Sequence, residues 1–169
     1  MSKQRADLEI FEDMMLQRRT WLVERAAWIV LGAILSAALL GFFGGGGPAA
    51  NAETTSADGS LSTHYARFGR REAPTELRVV ATPPADGGAT LRLWLSREYI
   101  AAHEITSVVP PPSRVEAASD RYVFEFPLVA SGETATILFR LEPRKAWRIE
   151  GRLGIDGGAR LRFDQFVYP

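Results

Sequence analysis

One uninterrupted apolar run constrains this chain more than any other feature. Residues 26–43 form a stretch of eighteen residues that carries no charge and a single hydroxyl, that of Ser36. As a helix, this stretch would extend about 27 Å, close to the ~30 Å hydrocarbon core of a bilayer. A helix in the core of a soluble domain would show polar residues at helical spacing, and this run lacks them. The run therefore predicts a transmembrane helix over residues 26–43.

The residues flanking the run favour a membrane–water interface. Indole rings prefer that region, arginine side chains can extend from the helix end to the head groups, and Phe42 and Phe43 stand at the other end. Basic residues precede the run, whereas the next one after it is Arg67. The positive-inside rule thus predicts a cytoplasmic amino terminus and an extracytoplasmic remainder. The predicted membrane-interface residues are Arg18, Arg19, Trp21, Arg25 and Trp28.

A cleaved signal peptide is the alternative for this segment. Ala50-Asn51-Ala52 has the A-x-A form of a signal peptidase site. Against cleavage, the apolar run exceeds the roughly 7–15 residues of a signal peptide, and the segment before it is long and rich in carboxylates. Residues 44–52 also separate the run from the cleavage pattern. We therefore predict an uncleaved signal anchor, with cleavage at Ala52 as the alternative.

Small residues recur at four-residue spacing along one side of the predicted helix. Because lipid provides no hydrophobic force between helices, close backbone approach determines their association, and stripes of small residues permit it. The stripe predicts packing against a membrane protein or a second copy; the alternative is the ordinary abundance of Ala and Gly in membrane helices. The predicted helix-packing residues are Gly32, Ala33, Ser36, Ala37 and Gly41.

The segments on either side of the run differ in composition. Residues 1–25 place apolar side chains at helical spacing, with carboxylates first and arginines later, which predicts a cytoplasmic juxtamembrane helix. That helix would lie on lipid head groups or dock a cytoplasmic partner. Residues 44–60 are mostly Gly, Ala, Ser and Thr without a large apolar side chain. They predict a flexible tether with a span of roughly 20–25 Å.

Over residues 61–169 the hydrophobic period changes to two. TELRVVA, ATLRLWLS, RYVFEFP and ETATILFRLEP alternate apolar and polar residues, as half-buried strands do. About seven to eight short strands with regular turn signals predict an extracytoplasmic antiparallel β-sandwich of immunoglobulin-like type, although a chain without cysteine cannot carry the immunoglobulin disulfide. A small β-barrel is the alternative. SREYIAAH predicts a short helix capped by Ser96, and VPPPSRVEAASD predicts a loop.

The final two strands suggest a specific register and a neutralised arginine patch. One alignment matches opposite charges outside and apolar groups inside, and it leaves Gly157 in the left-handed position of a three-residue loop. A slip that sets Arg152 opposite Arg162 would pair like charges and argue against neutralisation. The patch is then either a salt-bridged surface or a contact for anionic lipid or an acidic envelope polymer. The predicted pairs are Glu150 with Arg162, Arg148 with Asp164, and Ile149 with Phe163.

Motifs for catalysis, cofactors or metals are missing from the sequence. His64 and His103 are predicted to lie at the surface, and neither has the spacing of a zinc site. The chain has no Cys and no nucleophile motif, and its formal net charge of zero gives no reason to expect a nucleic-acid partner. We predict no catalytic residue, cofactor, metal or small-molecule substrate.

These features together favour a single-pass accessory protein of the bacterial inner membrane that presents a small β-sandwich outside it. Arginine in place of lysine and abundant Ala and Gly are the compositional basis for a bacterial origin. An extracytoplasmic binding or sensor module is the alternative, and a pocket lined by Trp94, Tyr99 or Tyr122 would support it. An enzyme is least favoured, and His64 beside an acidic partner would revive it.

Overall fold

The computed structural model describes residues 14–42, 46–84 and 88–169, and of residues 14–18 it describes only the backbone. The chain divides into two units, Met1–Ala38 and Leu39–Pro169. The first contains most of helix α1, Met14–Leu40. The second contains the short helix α2, Arg97–Ala101, and the eleven strands of the described residues. The part of the predicted juxtamembrane helix before Met14, together with Phe43, falls outside the described residues.

Helix α1 is continuous through the predicted juxtamembrane and membrane segments. Within Arg19–Leu40, a window of 18 residues has a mean hydropathy of 1.8, and none of that window is buried inside the structure. The helix ends three residues before the predicted boundary, because Gly41 takes a left-handed φ of +89°. Such a residue commonly terminates a helix, and here the amide of Ala49 donates to the Leu40 carbonyl at 3.0 Å.

Eleven strands of the described residues form two sheets, which confirms the predicted β-sandwich and not the barrel. The strand count exceeds the prediction, and the pairing is mixed because β3 runs parallel to β11. The sheet orders are β1-β2-β4-β9-β6 and β3-β11-β10-β5-β8-β7. The strands are β1 Asn51–Thr55, β2 Leu61–Ala66, β3 Phe68–Arg70, β4 Thr75–Ala81, β5 Thr90–Ser96, β6 His103–Val109, β7 Arg114–Ala117, β8 Arg121–Pro127, β9 Ala135–Pro143, β10 Trp147–Ile155 and β11 Arg160–Tyr168.

The sandwich core comes from the period-two alternation of the strands. Leu77 of β4 and Phe139 of β9 are fully buried from the five-stranded sheet, as are Leu93 and Leu153 from the six-stranded sheet. Phe124 of β8 meets Phe139 edge to face across the two sheets, with ring centroids 5.3 Å apart. Alternate residues of each strand therefore fill the space between the sheets, as in other two-sheet sandwiches.

The predicted flexible tether is wrong for its second half. Strand β1 pairs antiparallel with β2 along its whole length, and Ala52 is only 8% exposed. The following turn is held by Asp58, whose carboxylate accepts hydrogen bonds from the hydroxyls of Ser56 and Ser60 at 2.6 and 2.8 Å. Gly59 follows with a φ of +73°. Asp58-Gly59 is a hairpin signal, which a prediction from the composition of the segment did not take into account.

Two smaller predictions are corrected in part. The predicted loop around residues 109–120 contains strand β7, which pairs with β8. Helix α2 is present and Ser96 stands at its N-cap position, but the Ser96 side chain makes no capping hydrogen bond. Its hydroxyl instead accepts the amide hydrogen of Arg152 at 3.3 Å, so it joins the helix start to β10.

The register of the β10–β11 hairpin is the one that the charge argument rejected. Arg152 stands opposite Arg162, and Glu150 stands opposite Asp164. The reason is steric: Phe163 lies opposite Gly151, and a Cβ at Gly151 would be 2.3 Å from the Phe163 ring. The ring needs a residue without a side chain beneath it, and of the two registers considered this one places a glycine there, whereas the other places Ile149. Gly157 does take the predicted left-handed conformation, with a φ of +75°.

Candidate interaction surfaces

The predicted helix-packing stripe is shorter than the sequence suggested. Gly41 lies beyond the end of α1 and is buried, and a Cβ there would be 2.3 Å from the Gly46 carbonyl oxygen. Ala33 and Ala37 remain on the helix with Gly32 and Ser36, and no atom lies within 4 Å of a Cβ built on Gly32. The Ser36 hydroxyl donates to the Gly32 carbonyl at 2.8 Å, so its hydrogen bond is satisfied within the helix. The open stripe therefore consists of these four residues.

The predicted interface residues lie along the first turns of the described helix. The guanidinium of Arg25 stacks over the Trp21 ring, with its Cζ 3.9 Å from the ring centroid. Trp21 and Trp28 are 52% and 67% exposed. Arg19 is also exposed, whereas the Arg18 side chain falls outside the described residues. The stacked Arg25–Trp21 pair combines a cation with an amphipathic ring, a combination that suits a head-group layer.

An ion-pair lattice covers the outer face of the six-stranded sheet. Although like charges stand directly opposite in β10 and β11, the ion pairs form along the diagonals. Arg148 contacts Asp164 at 3.1 Å, and Arg162 contacts Glu150 at 2.8 Å. The hydrogen bond from Arg148 lowers the pKa of Asp164. The predicted salt-bridged surface is thus present in the register that had been expected to exclude it, because diagonal neighbours are within reach of long side chains.

The same lattice continues onto the neighbouring strands. Arg92 of β5 lies between three carboxylates, at 3.2 Å from Glu116, 3.2 Å from Glu125 and 3.1 Å from Asp156. Arg152 reaches Glu98 of α2 at 3.3 Å. The arginines of this face are therefore largely matched by carboxylates, which leaves little excess charge at its centre.

Five aromatic residues form a continuous row at one end of the six-stranded sheet. The ring centroids are 5.2 Å apart for Phe42–Phe68 and 6.4 Å for Phe68–Tyr168. They are 5.0 Å apart for Phe166–Tyr168 and 6.2 Å for Trp147–Phe166. The Tyr168 hydroxyl also donates to the Phe42 carbonyl at 2.5 Å. This aromatic row was missed in the sequence because it joins residues that are distant in the chain.

Trp147 is the most exposed member of the aromatic row. Period-two alternation with the buried Ile149 and Leu153 of β10 would place Trp147 on the inner face, yet its side chain is 63% exposed. Its backbone takes a φ of +78°, a conformation that L-residues other than Asn and Asp rarely adopt. The left-handed conformation turns the indole away from the core and toward Phe166.

A hollow of about 420 Å³ adjoins the aromatic row. Phe68 and Phe166 line it together with Arg67, Arg148 and Arg162. Arg67 has no ion pair within the described residues, whereas the other two arginines belong to the lattice. The hollow therefore combines aromatic walls with one cation whose charge is not neutralised by a described carboxylate.

Neither the hollow of about 420 Å³ nor a larger one on the five-stranded sheet is lined by the aromatics that were named for a sensor pocket, Trp94, Tyr99 and Tyr122. Tyr99 is 1% exposed within the core, where its hydroxyl donates to the Gln165 side chain at 2.8 Å and burial raises its pKa. Trp94 is 7% exposed and is covered by the Arg121 guanidinium, whose Cζ is 4.7 Å from the ring centroid. A larger hollow of about 1060 Å³ lies on the five-stranded sheet and is lined by charged side chains such as Glu76 and Arg140.

The prediction of two surface histidines is wrong for His103. That side chain is in β6 and only 6% exposed, its Nδ1 lies 2.8 Å from the Tyr99 carbonyl oxygen, and its Nε2 has no partner within the described residues. Burial lowers the pKa of His103. His64 is exposed, and its Nε2 lies 3.4 Å from a Glu53 carboxylate oxygen. Among the described residues, no three His, Cys, Asp or Glu side chains are grouped to hold a metal ion.

Comparisons with known proteins give likenesses of fold alone. No known protein family and no curated protein matches this sequence. A cohesin module from a Clostridium perfringens family 33 glycoside hydrolase is similar with a TM-score of 0.43 and 12% identity, over 68% of this chain and 98% of the module. A type I cohesin–dockerin complex from Clostridium thermocellum gives 0.41 and 8%, over 64% of this chain and 99% of the matched chain. A Listeria innocua β-glucosidase gives 0.39 and 12%, over 76% of this chain and 17% of the enzyme.

Proposed function

We propose that the protein is a single-pass accessory protein of the bacterial inner membrane, with its amino terminus in the cytoplasm and its β-sandwich outside. The observation that carries this proposal is the exposure of apolar residues along helix α1. Ile29 and Leu35 are 72% and 56% exposed, and Trp28 is 67% exposed. A helix that is apolar on all sides needs an apolar environment, and the sandwich core is complete without it.

Strand β1 supports an uncleaved anchor. Cleavage after Ala52 would cut β1 between Ala52 and Glu53, which pair with Tyr65 and His64 of β2. The mature chain would then begin inside a strand and lose the buried Ala52 methyl group. An anchor that stays attached leaves the five-stranded sheet intact.

The proposed role is non-enzymatic. His64 does have an acidic neighbour, Glu53, but the two side chains are 47% and 55% exposed on an open sheet face. Catalytic acid–base pairs usually depend on burial to shift their pKa values, and solvent screens an exposed pair. An interaction role requires no such site.

Fusion reporters at the two ends test the topology. A reporter placed after Pro169 should be active only when it works in an exported compartment, and one placed before Met1 should behave as cytoplasmic. An amino-terminal tag should stay on the mature protein, which should resist extraction from membranes by alkaline carbonate. Loss of the tag at Ala52, or release by carbonate, would overturn the proposal.

We further propose that helix α1 packs against a larger membrane protein through its stripe. Replacing Gly32 and Ala37 together by Leu should leave insertion intact, because the helix becomes more apolar, and should abolish crosslinking to the partner in native membranes. Ala38→Leu is the control, since at about 100° per residue it lies on the opposite side of the helix. If the double variant crosslinks as well as wild type, the helix acts as an anchor alone.

A further inference from the structure

We propose that the sandwich docks through the aromatic row on the extracytoplasmic face of the membrane that holds helix α1. The surface it recognises is the head-group layer of an anionic bilayer. The inference rests on the proposed function, because it needs helix α1 in the membrane. The row includes Phe42, which follows the last helical residue by two positions in the sequence. A row that starts there meets the interface as soon as the chain leaves the hydrocarbon.

The residue types of the row suit this position. Tryptophan and tyrosine are enriched at membrane–water interfaces because their rings are apolar and their N–H and O–H groups remain hydrated. Trp147 is 63% exposed and Phe42 is 41% exposed, so two members offer ring surface that the protein leaves uncovered. Phe68, Phe166 and Tyr168 lie between them and are half-buried. The row is therefore an extended amphipathic strip, not an isolated exposed ring.

The backbone of Trp147 is a second and independent observation. A tryptophan at a φ of +78° is strained, and strain of this kind persists where the surrounding structure enforces it, most often at functional sites. The indole contacts Phe166 edge to face, with ring centroids 6.2 Å apart, and stays 63% exposed. A bilayer interface would cover the same ring and supply the missing burial.

Charge identifies the lipid class. Arg67 and Arg70 flank the row, both are exposed, and neither has an ion pair within the described residues. Across the rest of the six-stranded sheet the arginines are mostly matched by carboxylates, as Arg148 is by Asp164. Unmatched cations beside exposed aromatic rings complement lipid phosphates, and anionic head groups attract them further.

The opposite end of the same sheet has an exposed arginine without an ion pair, Arg160, but no aromatic row within the described residues, and so it provides the internal control. Strand β10 runs from Trp147 to Ile155, so the β10–β11 hairpin lies at the far end from the row. At that far end, Ile155 of β10 pairs with Leu93 of β5. Strand β5 extends further to Thr90, which pairs with Pro127 at the end of β8, so the β8–β9 loop lies at the far end too. Val129 of this loop is 93% exposed.

The experiment uses the full chain in lipid nanodiscs. Because the chain has no cysteine, Lys145→Cys beside the row and Val129→Cys at the far end each accept one environment-sensitive fluorophore. The nanodiscs contain phosphatidylglycerol and phosphatidylcholine with nitroxide-labelled head groups as quencher. We expect quenching at position 145 and none at position 129. Equal quenching at the two positions, or none at 145, would overturn the proposal.

Trp147→Gly separates docking from folding. Glycine adopts a positive φ without strain, so this variant should keep or raise the melting temperature while losing most of the quenching at position 145. A melting temperature that falls in step with the quenching would show that Trp147 acts only in folding, and would contradict the proposal.

Arginine variants test the lipid class. Arg67→Gln and Arg70→Gln should each weaken docking about fivefold in nanodiscs with phosphatidylglycerol and much less in pure phosphatidylcholine. Arg160→Gln at the far end is the matched control and should have no effect. Docking that is insensitive to phosphatidylglycerol would remove the anionic head group from the proposal.

Carbonate extraction of the same samples separates the two proposals. A protein that resists extraction but shows no quenching at position 145 would retain the anchor and exclude docking. A protein that carbonate releases would exclude the anchor and docking together.

Discussion

Helix α1 and the β-sandwich use the same apolar residues in opposite ways. Ile29 of the helix is 72% exposed, whereas Ile137 of β9 is fully buried. The sandwich excludes water with its own two sheets, but the helix has no such cover within the described residues. The difference teaches that the apolar residues of the helix suit an apolar surrounding, whereas those of the sandwich pack against one another. The helix should therefore be sensitive to charge, and the sandwich to shape.

Deleting an isoleucine should give the largest difference between the two regions. Ile137→Ala leaves a cavity in the core and should lower the free energy of unfolding of the sandwich by about 2–5 kcal/mol. Ile29→Ala removes the same atoms from an exposed position and should leave that free energy unchanged. Urea unfolding of the protein in detergent, followed by sandwich circular dichroism, measures both variants. Equal losses would mean that the helix is part of the sandwich core.

Adding a charge should reverse the order of sensitivity. Leu31→Arg places a cation near the middle of the apolar span and should cost about 2.5–3.5 kcal/mol of membrane insertion. Val129→Arg, at a site that is 93% exposed on the sandwich, should alter neither insertion nor unfolding. The fraction of chain that resists carbonate extraction reports the first effect. Full retention of Leu31→Arg would argue against a bilayer around this helix.

Adding one methyl group to a glycine should separate the regions again. Gly151→Ala brings a Cβ within 2.3 Å of the Phe163 ring, and overpacking of this kind costs about 1–3 kcal/mol. Gly32→Ala meets nothing within 4 Å and should leave the sandwich unaffected. Phe163→Leu in the Gly151→Ala background should recover part of the loss. A lack of recovery in this double-mutant cycle would disprove the stacking explanation of the register.

The smallest expected effect depends on pH and belongs to the sandwich alone. Burial lowers the pKa of His103 in the folded protein below its ordinary value of 6.5. The unfolded chain then binds the proton on His103 more tightly than the folded protein does. The contribution of neutral His103 to the free energy of unfolding is therefore fully present above pH 6.5 and is lost as the pH falls toward the folded pKa. Urea midpoints across this range should show the decline, and His103→Gln should flatten it. His64→Gln is the exposed control, and a flattening by that variant instead would contradict the assignment.

The parts of the fold that were predicted correctly are those indicated by hydrophobic patterns within a single segment of sequence. The apolar run and the period-two segments each record their own environment, so helix α1 and strands such as β4 and β9 were predicted from their residues. The short helix α2 was also predicted from its residues. These elements can be predicted without knowing what they pack against, because hydrophobic periodicity is a local property of the sequence.

The errors concern properties that depend on a partner distant in the chain. The hairpin register is determined by the fit of Phe163 over Gly151, which charge matching does not reveal. His103 is buried because Tyr99 and β6 bring it inward, and β1 is a strand because β2 offers it an edge. The aromatic row joins Phe42 to β3, β10 and β11. No single segment of sequence contains these contacts.

The position of β11 has a consequence for biosynthesis. This strand, residues 160–168, lies between β10 and the much earlier strand β3. Phe68 therefore leaves the ribosome long before Phe166, the residue beside which it will lie. The six-stranded sheet can close only after residues 160–168 have been synthesised, so the growing chain passes through a stage in which its apolar strands are open to chaperones and proteases. Premature termination before β11 would leave that stage permanent and mark the chain for degradation.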